Sequence, residues 1–304
     1  MVEKDGLLQR LLDDNLLEKL SPHGDFELVE KIFLNAFDEP VDDLTKAQVY
    51  MVLCNTKWRQ SDFDTALDYA HKALKIGENY KEDQILFEVY YHIGTIKSIL
   101  GDITSLDDLM EAYKKKQSAK TAFYIGKLCN NIGMMYREMG QSDLAINYLN
   151  EAYDYFILDE KYYNLCICCQ AFMVIFNELG LANKSLYYGE LGKEFARKSH
   201  YKHGHNNILL YELDALTQLG KRVDEEHLSL VEKVMKQEHV DYYTLEPLLN
   251  YLSRVNSDRI EALKAMYFDQ APQFIQAIFY SHLNIGKANE IFTSLGYEGR
   301  IRRD

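Results

Sequence analysis

The segment Lys127-Leu-Cys-Asn-Asn-Ile-Gly-Met-Met-Tyr-Arg-Glu-Met-Gly-Gln-Ser-Asp-Leu-Ala-Ile-Asn-Tyr-Leu-Asn-Glu-Ala152 carries two helical patterns on either side of Gly140. Gly133 and Tyr136 lie seven and four residues before Gly140, and Ala145, Leu149 and Ala152 lie five, nine and twelve after it. Steps of three and four return side chains to one helix face, so each half presents a stripe of small and apolar groups. A close helix hairpin needs small residues where the helices approach and an aromatic or aliphatic group filling the groove. The spacing predicts two antiparallel helices joined by a turn.

The same offsets recur in both directions. Around Ser61 they give Cys54, Ala66, Ala70 and Ala73, and around Gly180 they give Met173, Phe176, Ser185, Gly189 and Gly192. Around Gly24 they give Leu17, Leu20, Val29, Phe33 and Ala36. The turn residues Gly24, Ser61, Gly101, Gly140, Gly180 and Gly220 are separated by 37, 40, 39, 40 and 40 residues, with weaker members at Asn256 and Gly286. Such a period has room for two helices of about four turns each.

Composition narrows the function classes. The 304 residues hold 34 Lys and Arg against 47 Asp and Glu, a net charge of −13, which argues against a duplex-DNA or anionic-membrane surface. A hydrophobic content of 47% excludes global disorder. The longest uncharged run, Tyr162 to Asn177, is 16 residues and contains Asn164 and Gln170, too short and too polar for a membrane span. Residues Met1 to Leu12 are charged and amphipathic with no small-residue cleavage site, so no targeting segment is expected. Five cysteines, with Cys166, Cys168 and Cys169 in one segment, fit a reducing cytoplasm better than a disulfide framework. The many tyrosines, among them Tyr50, Tyr69, Tyr136, Tyr148 and Tyr188, fall in or beside the helical seams and are read as structural.

Asn131-Ile-Gly-Met-Met-Tyr136 followed by Gly140 and Ala145, and Ser61-Asp-Phe-Asp-Thr-Ala-Leu67, resemble the tetratricopeptide repeat. The resemblance covers residues 5–238 well and 241–296 loosely, with a short tail at 297–304. It implies an all-α, right-handed superhelical solenoid of about eight antiparallel helix hairpins, a single domain over residues 1–304. Lys57 and Lys97 stand where the repeat has an aromatic or aliphatic residue, Glu225 and Glu232 where it has small ones, and Gly101 to Ala112 fits with one residue deleted.

In this family the first helix of each pair lines a concave surface. Residues thirteen, ten, six and three before each turn residue share one helix face. Read off the sequence, that face supplies a candidate peptide groove of Asn55, Trp58, Tyr91, Lys127, Asn130, Met134, Arg137, Gln170, Asn177, Asn207 and Asp214. Carboxamides both donate to and accept from a peptide backbone, and Met and Trp take apolar side chains. The bland alternative is that a concave face is polar because it is hydrated. A carboxylate clamp is not supported, since Lys127, Asn130 and Arg137 sit in one hairpin while its neighbours offer Glu88 and Asp214.

Other clusters read as structural. Cys166 and Cys169 face one side and Cys168 another, with no second CxxC to complete a zinc set. His200, His203 and His205 read as a solvated turn, and Lys114, Lys115, Lys116 and Lys120 as a solvated helix end. Arg300, Arg302 and Arg303 form too short a tail for a nucleic-acid arm. Adjacent acids such as Asp13–Asp14 and Asp42–Asp43 diverge by about 100° on a helix. With no phosphate loop, nucleophile elbow or HExxH, no enzyme, cofactor or metal is expected.

The leading expectation is a non-catalytic, cytoplasmic sensor or adaptor of bacterial signalling type that binds a peptide or protein segment in the groove. Forty-residue spacing resembles that of quorum-peptide receptors and of sensory regions attached to output domains. One alternative is the sensory part of a diguanylate cyclase or histidine kinase whose output domain lies outside this chain, which an end at Tyr297 to Asp304 without a polar capping helix would fit. Another is a scaffold that binds proteins through its convex face. Residues 1–45 read as a hairpin rather than a helix-turn-helix, so no direct nucleic-acid partner is expected, nor a membrane. Phe274, Ile275, Ile278 and Phe279 would serve either a C-terminal cap or a homodimer through the C-terminal hairpins.

Overall fold

The computed structural model describes residue 12 and residues 25–35, 41–237, 242–255, 258–269, 271, 273–297 and 300–301. The expectations at Asp13, Asp14, Leu17, Leu20, Gly24, Ala36, Asn256, Arg302 and Arg303 lie outside the described residues. Among the described residues the architecture is all-α, built from consecutive antiparallel helix pairs without a strand. The chain divides into two compact units, residues 1–121 and 122–304.

The first unit holds α1 (Phe26–Leu34), the hairpin α2 (Asp43–Arg59) and α3 (Phe63–Tyr80), and the hairpin α4 (Asp83–Ile99) and α5 (Ser105–Lys114). Asp42 starts α2 by accepting from Thr45 N at 3.0 Å, and Asp62 starts α3 by accepting from Thr65 N at 3.4 Å. Each carboxylate satisfies a backbone donor that has no partner inside its own helix. The seam of the first full hairpin is Cys54, Ala66, Ala70 and Ala73, all fully buried and packed against Val89, Ile93 and Ile96 of α4. The two lysines that break the repeat pattern are ion-paired to adjacent helices. Lys57 Nζ lies 2.8 Å from Glu30 of α1, and Lys97 Nζ lies 2.6 Å from Asp108 of α5. The lysine cluster after α5 is likewise paired rather than merely solvated: Lys114 with Glu111, Lys115 with Asp83 and Lys120 with Glu88.

The second unit holds three hairpins: α6 (Ala122–Glu138) with α7 (Ser142–Leu158), α8 (Tyr162–Glu178) with α9 (Ala182–Lys198), and α10 (Lys202–Gln218) with α11 (Glu225–Val234). They are followed by α12 (Tyr242–Arg254), α13 (Arg259–Tyr267), α14 (Gln273–Leu283) and α15 (Ile285–Ser294). The uncharged run from Tyr162 is α8, which packs on α6, α7, α9 and α10 and buries Cys166, Cys168, Cys169 and every residue from Gln170 to Asn177. A helix covered on all sides needs no charged face, which is why it reads as a continuous apolar run. No described helix is long and apolar enough to cross a membrane. Tyrosines fill the seams, with Tyr136 stacked on Tyr148 at 5.5 Å and Tyr188 on Phe172 at 4.4 Å.

The repeat turns share one backbone geometry. Ser61, Gly101, Gly140, Gly180 and Gly220 all have left-handed φ values, of 61°, 74°, 71°, 71° and 61°. At the end of α6, Gly140 N donates to Arg137 O at 2.9 Å and Gln141 N to Tyr136 O at 2.8 Å, so the last carbonyls are satisfied as the chain reverses. A second set of turns joins one hairpin to the next at Lys81, Glu160 and His200, also left-handed but without glycine. His203 and His205 belong to α10 rather than to the turn. Gly286 is not a turn residue: it lies inside α15, which begins where Asn284 accepts from Lys287 N at 3.1 Å, and the left-handed glycine nearby is Gly296. In this last hairpin Ile278 and Phe279 are buried, and Phe274 meets Phe292 and Tyr297 at 5.8 and 4.9 Å. These apolar groups are used within the chain.

Candidate functional site

In the first unit, Trp58 and Tyr91 converge edge-on upon His92, at centroid distances of 6.3 and 5.2 Å, while Asn55 accepts from Arg59 Nε at 3.1 Å. Tyr91 is buried, and Asn55 and Trp58 are half-buried. His92 was not among the expected residues, since it lies one position off the repeating face.

In the second unit the first-helix residues fall into two groups. Lys127, Asn130 and Met134 of α6 are half-buried, with the Lys127 ammonium 5.5 Å from the Phe123 ring centroid and 5.6 Å from that of Tyr124. Asn130 Oδ1 is buried and accepts no hydrogen bond. Arg137, Gln170, Asn177, Asn207 and Asp214 are buried and bonded within the chain. Gln170 Nε2 meets Cys166 Sγ on its own helix at 3.4 Å. Asn177 Nδ2 donates to Tyr211 O at 2.9 Å, leaving its buried Oδ1 without a partner. Asn207 Oδ1 accepts from Thr244 of α12 at 3.0 Å, and Asp214 binds Arg254 at the end of the same helix. Burial pushes the Asp214 carboxyl above its ordinary range, with Arg254 opposing that shift.

Arg137 is the centre of an ion network that the sequence pattern did not reveal. Its guanidinium, 1% exposed, meets Glu138 at 2.9 Å, Glu178 at 2.5 Å and Glu246 at 2.6 Å. Arg300 reaches the same carboxylates, at 2.5 Å from Glu138, 3.2 Å from Glu246 and 3.5 Å from Glu178. Three carboxylates thus share two guanidiniums, joining α6, α8, α12 and the segment after α15. Glu138 and Glu178 each lie two residues before their repeat glycine, a recurrence that was readable. Glu246 and Arg300 lie where the repeat has diverged, so spacing could not find them.

A second buried cluster crosses α9, α10 and α11. Glu212 lies 3.0 Å from Lys193 and 3.3 Å from His227, whose other ring nitrogen lies 2.6 Å from Asp224. The hydrogen bond to Glu212 raises His227 above its ordinary 6.5, against the opposing effect of burial. Burial pushes Glu212 up, but His227 and Lys193 outweigh it and hold the carboxyl below its ordinary 4.5. The imidazolium contribution to stability is therefore complete below pH 6.5 and lost as pH rises through the raised folded-state value. Urea unfolding of the full chain should show wild-type stability falling above pH 6.5 relative to His227→Gln. Parallel pH profiles would refute this linkage.

The five cysteines are buried and form no disulfide, and burial raises the thiols of Cys54 to about 12 and Cys166 to about 11, so these two are poor nucleophiles and metal ligands near neutrality. Among the described residues no group of three His, Cys, Asp or Glu side chains is arranged to hold a metal ion.

The left-handed turns, the small-residue seams and the first-helix face together point to one repeat family, and its model matches residues 126–155. That family is the tetratricopeptide repeat. Three solved structures have the same tetratricopeptide-like fold. A Rap protein complexed with Competence and Sporulation Factor aligns with a TM-score of 0.70 at 12% identity, covering 97% of this chain and 86% of that one. The apo form of RapI aligns with a TM-score of 0.55 at 16% identity, covering 96% and 94%. Aspartyl phosphate phosphatase F from Bacillus subtilis aligns with a TM-score of 0.54 at 17% identity, covering 84% of this chain but 60% of its own length. At these identities the likeness is one of tetratricopeptide-type fold. No curated protein matches the chain in sequence.

Proposed function

We propose that the protein is a non-catalytic module that binds an extended peptide or partner-protein segment along the first helices of its hairpins, acting as a cytoplasmic sensor or adaptor. The observation that carries this reading is a pair of buried carboxamide oxygens without donors, Asn130 Oδ1 and Asn177 Oδ1, on neighbouring first helices. A buried acceptor left unmade costs about 1–3 kcal/mol, and a peptide N–H would satisfy it. The Rap protein complexed with Competence and Sporulation Factor, which shares the fold, adds support. An incoming segment would compete with α12 for Arg137, Asn207 and Asp214, so binding and the position of that helix are coupled.

Asn130→Ala tests the reading because it separates binding from stability. Removing an unsatisfied acceptor should leave the melting temperature equal to or above that of wild type. Affinity for peptides selected from a library against the full chain should fall by roughly fivefold to tenfold, the worth of one hydrogen bond. Unchanged affinity would refute the assignment of this face. Asn177→Ala is the poorer test, since it also removes the hydrogen bond from Asn177 Nδ2 to Tyr211 O.

A further inference from the structure

The hairpin α10–α11 is lopsided. Its second helix, α11, has 10 residues where the preceding second helix, α9, has 17. The first turn of α11 meets α10 through His227 at 3.3 Å from Glu212 and Glu226 at 3.8 Å from His205. A cavity of about 890 Å³ remains, walled by the C-terminal half of α9, the start of α10 and the last turn of α11. That volume is in the range of small-molecule sites.

The lining has a definite chemistry. Arg197, Lys202 and Lys233, one from each wall, make no ion pair among the described residues. The acids that share the cavity are ion-paired, Glu190 with Lys193 of the same lining at 2.8 Å and Glu194 with Lys198 at 2.7 Å. In a chain of net charge −13 this lining carries four cations, Lys193, Arg197, Lys202 and Lys233, against two acids, Glu190 and Glu194. The first turn of α10 also faces the cavity, and its N-cap, Tyr201, provides no side-chain cap, so the positive end of that helix adds to the field. Carbon surface completes the lining, with Leu191, the Tyr201 ring and Tyr187, which is 62% exposed at the mouth.

We propose that this cavity binds a small phosphorylated molecule bearing a flat ring, its phosphates held by Arg197, Lys202 and Lys233 and its ring against Tyr187. Arg offers a planar fork to phosphate oxygens and Lys a movable point charge, while Tyr supplies a stacking face. None of the first-helix candidates lines the cavity, so the site is independent of the proposed peptide-binding face.

Titration calorimetry of the full chain with ADP and with adenosine provides the test. ADP should bind, and adenosine should bind roughly tenfold or more weakly because it lacks the charged groups. The double variant Arg197→Glu with Lys233→Glu alters exposed side chains and should keep the wild-type melting temperature while weakening ADP roughly tenfold or more. Asn130→Ala should leave ADP affinity unchanged. The proposal is overturned by absence of ADP binding, by equal affinity for adenosine, by a double variant that binds ADP like wild type, or by equal weakening in Asn130→Ala.

Discussion

Arg137→Met is expected to lower the unfolding free energy of the full chain by about 3–5 kcal/mol. The substitution keeps most of the aliphatic volume and removes the charge that holds three carboxylates together. Glu138 and Glu246 are 8% and 3% exposed, so water cannot replace the lost guanidinium. Arg300 alone would then face Glu138, Glu178 and Glu246. Burying a paired ion already sacrifices hydration, and the network repays this only while every member is matched. The corollary is that replacing Arg137, Glu138 and Glu246 together with apolar or amide groups should recover much of the loss. Urea unfolding measures both, and a loss below about 1 kcal/mol for the single variant, the scale of a surface pair, would show that the network is not a buried one.

Gly133→Leu is expected to cost about 1–3 kcal/mol or more, by overpacking rather than by loss of a partner. A Cβ at Gly133 would sit 2.9 Å from Leu149 Cγ and 3.1 Å from Ala145 O. A leucine cannot escape the second contact by a rotamer change, because it is with backbone. The helices α6 and α7 would have to separate along a seam whose other members, Ala145, Leu149 and Ala152, are fully buried. Wild-type melting in this variant would overturn the register of the hairpin.

The seam and the turns were legible because their physics is local. Glycine at 101, 140, 180 and 220 marks a left-handed backbone that other residues adopt at a cost, so forty-residue spacing of glycine is a direct report of turn geometry. The inter-hairpin turns at Lys81, Glu160 and His200 adopt the same backbone without glycine and left no such mark. Gly286 misled for the converse reason: a helix can carry a glycine in its first turn, and Asn284 made the turn instead. For the first-helix face, helical spacing put Arg137, Asn177 and Asp214 on a groove-lining surface, whereas the structure buries all three. It could not show that Glu246 meets Arg137 or that Arg254 meets Asp214, because those partners come from 109 and 40 residues away in a stretch without regular repeats.

The burial of every cysteine gives the molecule an internal reporter of its own opening. Cys54 sits in the first unit, and Cys129, Cys166, Cys168 and Cys169 sit in the second. A shielded, protonated thiol reacts with an alkylating reagent only during the moments when the surrounding helices part. The rate at which Cys54 is modified therefore clocks the breathing of residues 1–121, and the rates at the other four clock that of residues 122–304. A ligand that locks one unit would silence its thiols and leave the other set reacting at the old pace. Mass spectrometry of timed labelling would then say which unit a ligand grips, even when the ligand is a crude mixture of peptides or metabolites.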